Sequence, residues 1–216
     1  MLLHLPPVFR RYLSALRMLL VFTAVTGIAY PLAVTGIAQL VFPRQANGSM
    51  VEDAGKPVAS SLLGQNFALP KEHPGDPREP LRPDPKWFQP RPSAADAGKG
   101  AGPYDPADSN ASNLGPNDRE LVTTVEARRV AVAAFDGTTP RSVPADALTA
   151  SGSGLDPDIS PAYAYEQAAR VARARGLAPE RVRALVARHV QGHDLGFLGQ
   201  THVDVVELNH ELAGLG

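Results

Sequence analysis

Apolar residues dominate positions 18–42, and no charged residue interrupts this run of 25 residues. As a helix the run would be about 37 Å long at ~1.5 Å per residue. The hydrocarbon core of a bilayer is ~30 Å thick, so the run can cross it with some tilt. A cleaved signal peptide is the alternative, but its apolar region should be only ~7–15 residues long. The pattern therefore favours a retained transmembrane helix.

Positive charges flank the apolar run unevenly. The flanking arginines are Arg10, Arg11 and Arg17 before the run and Arg44 after it. Cytoplasmic flanks of membrane helices carry an excess of Lys and Arg. The charge bias predicts a cytoplasmic N-terminus at residues 1–17, a transmembrane helix at 18–42 and an extracytoplasmic domain at 43–216.

A stripe of small and polar residues runs along this predicted helix at every fourth position. Its members are Thr23, Gly27, Pro31, Thr35 and Gln39. Each step of four turns only ~40° around a helix, so the five residues share one slowly turning face. Such residues let membrane helices approach closely and hydrogen-bond, which predicts a contact with another subunit. Packing against lipid is the alternative. Pro31 should also bend the helix and free a carbonyl group.

Helical patterns return in the second half of the chain. A capping box from Asn117 to Glu120 predicts the start of a first helix, which Gly137 ends. Ser160 caps a second helix that Gly176 ends. A third helix is predicted over 179–189.

The C-terminal segment alternates and then becomes periodic. Val203 and Val205 alternate with polar neighbours, which predicts a short strand. Leu208, Leu212 and Leu215 lie near one face of a possible terminal helix. The predicted fold is one N-terminal transmembrane helix followed by a small mixed α/β (α+β) soluble domain with long Pro/Gly-rich loops.

Prolines and glycines make residues 71–109 an irregular loop. Trp87 and Phe88 are the strong apolar anchors of the segment, and they should pin it to the core. Earlier in the chain, residues 60–67 could form a short strand or a turn.

Composition restricts the function classes. The chain has no cysteine, so thiolate chemistry, disulfides and cysteine-based metal sites are excluded. The net charge is −1, which provides no electrostatic basis for binding nucleic acid. We expect no nucleic-acid partner and no bound metal.

The segment TASGSGLDP at 149–157 is the densest candidate motif. Ser151, Gly152, Ser153 and Gly154 could form a backbone nest for phosphate before a helix. However, the segment has neither the Walker pattern nor the outer glycines of a nucleophile elbow. A structural turn is the preferred interpretation.

Two further residue pairs are candidate chemical sites. Asp156 and Asp158 could act in acid–base or metal chemistry, but each also sits where it would favour the coming helix N-terminus. His189 and His193 have the spacing of zinc ligands on a helix, but Gly192 indicates that the helix ends between them.

Arginines recur on the second and third predicted helices. They are Arg170, Arg173, Arg175, Arg181, Arg183 and Arg188. We expect them on solvated faces, with contact to an acidic partner surface as the alternative.

The motifs occur in the order found in one family of transporter subunits. The segments are SNLGP at 112–116, which contains Ser112, Asn113 and Gly115, WFQPRPSAA at 87–95, TASGSGLDP with Asp156, RVARARG at 170–176 and LGFLG at 195–199. With one membrane helix before them, the chain resembles the C subunit of the Kdp-type potassium-transporting P-type ATPase. Asp158 stands where the family usually has a histidine, and the proline-rich segment 71–85 looks like an insertion relative to the family.

The resemblance implies a non-catalytic accessory subunit of an ATP-driven potassium import complex. Its partners would be a potassium-channel-like subunit and a P-type ATPase subunit in the plasma membrane. The family is described as a chaperone that supports ATP use by the catalytic subunit. ATP is cytoplasmic, whereas the charge bias exports residues 43–216, so we expect ATP to act through the catalytic partner.

A membrane-anchored exported hydrolase is the alternative from a different class. It would use Ser153 or the pair Asp156 and Asp158. No nucleophile–base signature supports it.

Overall fold

A computed structural model describes residues 6–73, 76, 79–96 and 102–215. The first five residues of the predicted cytoplasmic segment and parts of the predicted 71–109 loop therefore lie outside the described residues. The chain divides into two compact units, Met1–Met50 and Val51–Gly216.

The first unit is one long helical rod. Its elements are α1 (Pro7–Ala24), a π turn (Val25–Ala29), α2 (Tyr30–Val41) and the short α3 (Pro43–Ala46). Residues Pro7–Val41 form a helix that is long and apolar enough to cross a membrane, and its most apolar stretch is not buried against protein. The predicted run at 18–42 is helical up to Val41, and the helix extends eleven residues further toward the N-terminus.

The second unit is a small α+β domain. Its strands are β1 (Met50–Asp53), β2 (Lys56–Ser60), β3 (Asp158–Ile159), β4 (Val190–Gln191) and β5 (His202–Asp204). Its helices are α4 (Arg119–Asp136), a 3₁₀ turn (Ala145–Ala147), α5 (Pro161–Arg175), α6 (Pro179–His189) and α7 (Val205–Ala213). The predicted fold class is confirmed.

A three-stranded antiparallel sheet in the order β3-β5-β4 lies at the centre of this domain. Val203 of β5 pairs with Ile159 on one side and Val190 on the other. Helices α5, α6 and α7 contact this sheet. Their apolar faces supply most of the core, including Val171, Leu185, Leu208 and Leu212, all of them fully buried. Within each helix the buried residues recur at helical spacing, as Val182, Leu185 and Val186 do in α6, which is why the three faces can close over so small a sheet.

Strands β1 and β2 form a separate two-stranded sheet. Ala54 and Gly55 join them with positive φ angles of 49° and 76°, the backbone that a two-residue hairpin turn requires. Val51 and Ala59 pack against Val206 of α7, which fixes the hairpin on the domain. The segment 60–67 was predicted to form either a short strand or a turn: Ser60 ends β2, and residues 61–67 continue without a strand.

The helix ends confirm most of the predicted boundaries. Gly137 and Gly176 end α4 and α5 with left-handed backbones, as expected for glycine at a helix C-terminus. Ser160 accepts a hydrogen bond from the Tyr163 N–H and caps α5. The predicted capping box at Asn117 is wrong by one residue: Asp118 is the cap, and it accepts from the Glu120 N–H at 2.8 Å.

The predicted anchor in the proline-rich segment is confirmed. Phe88 is fully buried in the core, and Trp87 packs against it. The Arg175 guanidinium lies 4.3 Å from the centroid of the Trp87 ring, a cation–π contact. The loop is therefore tied to α5 although it has almost no regular structure of its own.

Three predictions about individual residues are wrong. Arg170 was expected on a solvated face, but it is buried in an ion pair with Asp136. The expectation that Asp156 and Asp158 favour the N-terminus of α5 also fails, because Asp158 lies in β3 and Asp156 pairs with Arg91. The predicted strand residue Val205 instead begins α7.

Candidate functional site

The small and polar stripe lies along the membrane-spanning rod. Its members Thr23, Gly27, Pro31, Thr35 and Gln39 are all exposed. A Cβ atom added at Gly27 would meet only the Thr23 side chain, at 3.9 Å, so the surface there is open to a neighbour. Gln39 exchanges two side-chain hydrogen bonds with Asn47 at 3.2 Å each, which ties the end of α2 to the chain beyond α3.

A π turn interrupts the α-helix just before Pro31. The Tyr30 N–H donates to the Val25 carbonyl, five residues back, instead of to the residue four back. Proline has no N–H, and its ring clashes with the carbonyl four residues earlier, so a wider turn relieves the clash. The expected disturbance at Pro31 thus takes the form of a π turn. A wider turn also reduces the drift of a four-residue repeat, which keeps Thr23, Gly27 and Pro31 closer to one line.

The glycine–serine loop of the soluble domain is held by its own hydroxyls. Ser151 Oγ accepts from the Gly154 N–H at 2.9 Å, and Ser153 Oγ accepts from the Leu155 N–H at 3.1 Å. A phosphate nest would need such N–H groups to point outward. Their internal bonding supports the interpretation as a structural turn.

The same loop is bonded to the segment around residue 110. The Ser153 carbonyl accepts from the Asn110 N–H at 3.0 Å and from the Ser109 hydroxyl at 3.1 Å. By contrast, Ser112, Asn113 and Gly115 lie at the surface beyond this contact. The two family motifs are therefore joined through the residues before SNLGP.

Gly154 occupies the tightest point of the loop. Its φ angle is +70°, and an added Cβ atom would lie 2.6 Å from the Asn110 carbonyl oxygen and 2.8 Å from the Ala95 Cβ. The Ser93 hydroxyl donates to the Gly154 carbonyl at 2.6 Å. Only glycine can adopt this positive φ angle and also fit against the Asn110 carbonyl and Ala95 without a clash. Gly152, by contrast, has open space around its Cα.

Asp156 joins the loop to the PRPS segment through an ion pair. Its Oδ2 lies 2.9 Å from Arg91 Nη1, and both side chains are about one quarter exposed. Its Oδ1 accepts from the Asp158 N–H at 3.0 Å. The Tyr104 hydroxyl donates to the Arg91 carbonyl at 2.7 Å, and burial raises the Tyr104 pKa above its usual range. Asp156 thus fixes backbone positions in the loop and joins the loop to Arg91.

A groove of about 350 Å³ lies beside this ion pair. Apolar and proline side chains line most of it, together with Arg91, Tyr104, Arg128 and Tyr163. Arg128 donates to the Leu148 carbonyl at 2.9 Å, and burial lowers the pKa of its guanidinium. The cationic groups of the groove are therefore already engaged with the protein.

A buried polar network near α5 was missed by the sequence reasoning. Arg170 bonds Asp136 and donates to the carbonyls of Pro85 at 2.7 Å and Trp87 at 3.0 Å. One turn earlier, Gln167 accepts from the Gln89 N–H at 2.6 Å. The signal was available: Gln167 and Arg170 are three residues apart and so share the helix face that also carries buried Val171.

Acidic side chains gather where β3 meets β5. Asp158 and Asp204 are directly opposed in the register, and His202 Nε2 lies 4.0 Å from Asp158 Oδ2. Burial first, and then the nearby carboxylates, raise the pKa of Asp204 to about 7 although its bond from Glu207 lowers it. Among the described residues no group of three or more His, Cys, Asp or Glu side chains could hold a metal ion. His189 instead pairs with Glu211 at 2.6 Å.

The comparisons with known proteins agree along almost the whole chain. The family model described as "KdpC: K+-transporting ATPase, c chain" matches residues 12–214. The potassium-transporting ATPase KdpC subunit of Kineococcus radiotolerans is 52% identical, covering 97% of this chain and 96% of its own length. The KdpC subunit of Variovorax paradoxus is 49% identical over 90% and 91% of the two chains.

A third relative, the KdpC subunit of Streptomyces coelicolor, is 46% identical and covers 95% of this chain. The family model spans both the membrane helix and the domain that carries the glycine–serine loop, so the match is not confined to one unit. The chain therefore belongs to the KdpC family, the C chains of potassium-transporting ATPases.

Proposed function

We propose that this chain is a non-catalytic accessory subunit that couples an exported domain to its transporter through one membrane helix. As a KdpC-family member it is an accessory subunit of a potassium import complex. In the proposed arrangement, residues 1–17 lie in the cytoplasm, 18–42 cross the membrane, and 43–216 form an extracytoplasmic domain. The exposed stripe on the membrane-spanning helix is the observation that carries this proposal.

The orientation rests on the charges at the two ends of the helix. Arg10, Arg11 and Arg17 lie on the N-terminal part of α1, and Arg44 lies in α3. The three-to-one excess at the N-terminal end favours its retention in the cytoplasm. A domain exported in this way meets the potassium-channel-like subunit from the side where potassium enters.

The partners are the channel-like subunit and the P-type ATPase subunit, which the helix contacts within the membrane. The small residues Gly27 and Thr35 let a neighbouring helix approach closely. The π turn keeps the stripe residues Thr23, Gly27 and Pro31 near one line along the helix. The hydroxyl of Thr26 already donates to the Phe22 carbonyl at 2.7 Å, which satisfies it within its own helix.

The hydrogen bonds of the candidate catalytic groups support a non-catalytic role. Ser153 Oγ accepts a backbone hydrogen bond, and both oxygens of Asp156 are engaged. A hydrolase would need Ser153 beside a general base. The alternative of an exported hydrolase is not supported, since family membership and this geometry both favour a structural subunit.

In this proposal the catalytic partner subunit, and not this chain, binds ATP. A domain on the extracytoplasmic side cannot bind cytoplasmic ATP, so any support for ATP use by the catalytic subunit must pass through the membrane helix or through the other subunits. The helix biases the catalytic subunit only if it binds one conformation of that subunit more tightly than another.

Bulk added on the stripe tests this proposal. Gly27→Leu with Thr35→Leu should release the chain from the detergent-purified complex. Ala29→Leu with Ala33→Leu is the matched control, since each alanine lies two residues, or about 200°, around the helix from a stripe position. We expect loss of co-purification in the first pair alone. Equal retention of both variants would overturn the membrane-contact proposal.

A further inference from the structure

The turn between β4 and β5 presents three large apolar side chains to solvent. Leu195 is 85% exposed, Phe197 is 74% exposed and Leu198 is 48% exposed. All three fall within seven residues of the end of β4, and every residue from 191 to 200 is exposed. Clustered exposure of this kind marks an interaction site more often than single exposed apolar residues do.

The turn is closed by backbone hydrogen bonds and is not a loose loop. The Asp194 N–H donates to the Leu198 carbonyl at 2.9 Å, and the Leu198 N–H donates back to the Asp194 carbonyl at 2.9 Å. The Gly196 N–H donates to the His193 carbonyl at 3.2 Å. A turn held in this way projects Leu195 and Phe197 at little further entropic cost on binding.

Leu195 adopts a backbone that leucine rarely takes. Its φ angle is +52°, in the left-handed region, and Gly196 follows with φ +83°. A bulky residue in this region is strained, and such strain concentrates at functional sites. A polar or small residue would fit the turn better, so leucine here is not explained by the fold of the turn itself.

The charges near the turn distinguish two possible binding partners, a lipid membrane and a protein surface. From Val190 to the C-terminus the chain has no lysine or arginine, and Asp194 is the acidic residue inside the turn. Apolar turns that insert into membranes are accompanied by basic residues that attract anionic lipid. An apolar tip beside a carboxylate complements instead a protein recess that has an apolar floor and a cationic or N–H-rich rim.

A second copy of this chain fits the turn less well. A projecting turn is not self-complementary, so binding it into a different patch of an identical chain would be a head-to-tail contact that continues from copy to copy. The chain belongs to a family of ATPase subunits, so different chains are available as partners.

We propose that the turn at residues 193–199 docks into an apolar recess with a basic rim on another subunit of the transporter. The docking rests on the proposed function, because it needs the assembled complex. It supplies a second contact, made by the soluble domain and separate from the stripe on the helix. Phe197 and Leu195 are the anchors, and Asp194 meets the rim.

A photo-crosslinking residue in place of Phe197, such as benzoylphenylalanine, tests this directly in the purified full complex. The same residue in place of Val130, which is 63% exposed on α4, is the control. The expected result is an adduct between position 197 and a different subunit, identified by mass, with none from position 130. An adduct with lipid, an adduct with a second copy of this chain, or no adduct at position 197 would each overturn the proposal.

A binding measurement complements the crosslink. Full-length Leu195→Ser/Phe197→Ser chain, added to complex lacking this subunit, should bind at least about 10-fold more weakly than the unaltered chain. Val130→Ser should bind within about twofold. Unfolding midpoints of both variants should match the unaltered chain, since all three side chains are exposed. If the chain fails to co-purify at all, the proposed function fails; if it co-purifies and the serine variants bind normally, the docking turn alone fails.

Discussion

Arg170 Nε lies 2.6 Å from Asp136 Oδ1, and the two side chains are only 4% and 1% exposed. The pair joins α5 to the last residue of α4. The remaining guanidinium nitrogens of Arg170 hold the carbonyls around Trp87 and the amide of Gln167. One buried cation therefore fixes three separate stretches of chain.

Removing this cation should destabilise the domain severely. Arg170→Met leaves the Asp136 carboxylate buried without its partner, which costs about 3–5 kcal/mol in the free energy of unfolding. Urea unfolding of the full-length chain in detergent measures this loss. Arg129→Met removes an exposed arginine of α4 and should change stability by no more than about 0.5 kcal/mol. Similar losses in the two variants would show that the buried pair is not important.

Asn209 should also stabilise the segment around Trp87 and Phe88. Its side chain accepts from the Phe88 N–H and donates to the Phe88 carbonyl, both at 2.9 Å. Asn209→Ala leaves two buried backbone groups unpaired, which should cost about 1–3 kcal/mol for each group that water cannot reach. His210→Ala, at the exposed neighbouring position, is the control. A stability loss below that of the control would contradict the pairing.

Replacement by alanine should destabilise the protein much more at Gly154 than at Gly152 of the same loop. Gly154→Ala forces a side chain into left-handed backbone and against the Asn110 carbonyl, so it should lose at least about 1–3 kcal/mol. Gly152→Ala enters open space and should change stability by less than about 1 kcal/mol. Thermal unfolding of both variants distinguishes them, and equal shifts would refute the close approach at Gly154.

Stability should fall as the pH rises from about 4 to about 7. Burial raises the pKa of Asp204 to about 7, and burial with the neighbouring Asp136 and Asp146 raises the pKa of Glu166 to about 7. Unfolded carboxyl groups titrate near pH 4, so between these values the folded chain holds protons that the unfolded chain has released. The stabilisation is complete below pH 4 and is lost as the pH passes 7.

Asp204→Asn should flatten this decline, because asparagine mimics the protonated carboxyl and still accepts from the Glu207 N–H. Unfolding free energies measured at pH 4.5 and pH 8 give the slope. At the lower pH the variant and the unaltered chain should be similar, which controls for lost contacts. Parallel declines in the two proteins would rule out Asp204 as the titrating group.

The sequence predicted the helices of this protein well because their signals are local. Gly137, Ser160 and Gly176 each act within one turn of the helix end, and Leu208 and Leu212 repeat at helical spacing. The helix caps therefore fell at or within one residue of their predicted positions. The family resemblance, carried by strings such as TASGSGLDP, is confirmed by the family model and the relatives.

Side-chain roles were predicted less well because they depend on contacts distant in the sequence. The local sequence predicts a solvated Arg170, because only the fold brings Asp136, 34 residues away, beside it. The local sequence likewise predicts that Asp156 favours the start of a helix, because its partner Arg91 lies 65 residues away. The hairpin of β1 and β2 was missed because its strands are short and its turn lacks the usual Asn-Gly signal.

The orientation of the chain in the membrane is the central claim, and its lack of cysteine makes a direct measurement possible. Single cysteines replace Val8 on the N-terminal side, which keeps all of the flanking arginines, and Val130 in the domain; both positions are exposed. Intact cells whose outer membrane has been made permeable are treated with a membrane-impermeant maleimide. We expect rapid labelling at position 130, and labelling at position 8 only after the inner membrane is disrupted. Labelling at position 8 in intact cells, with position 130 protected, would contradict the account.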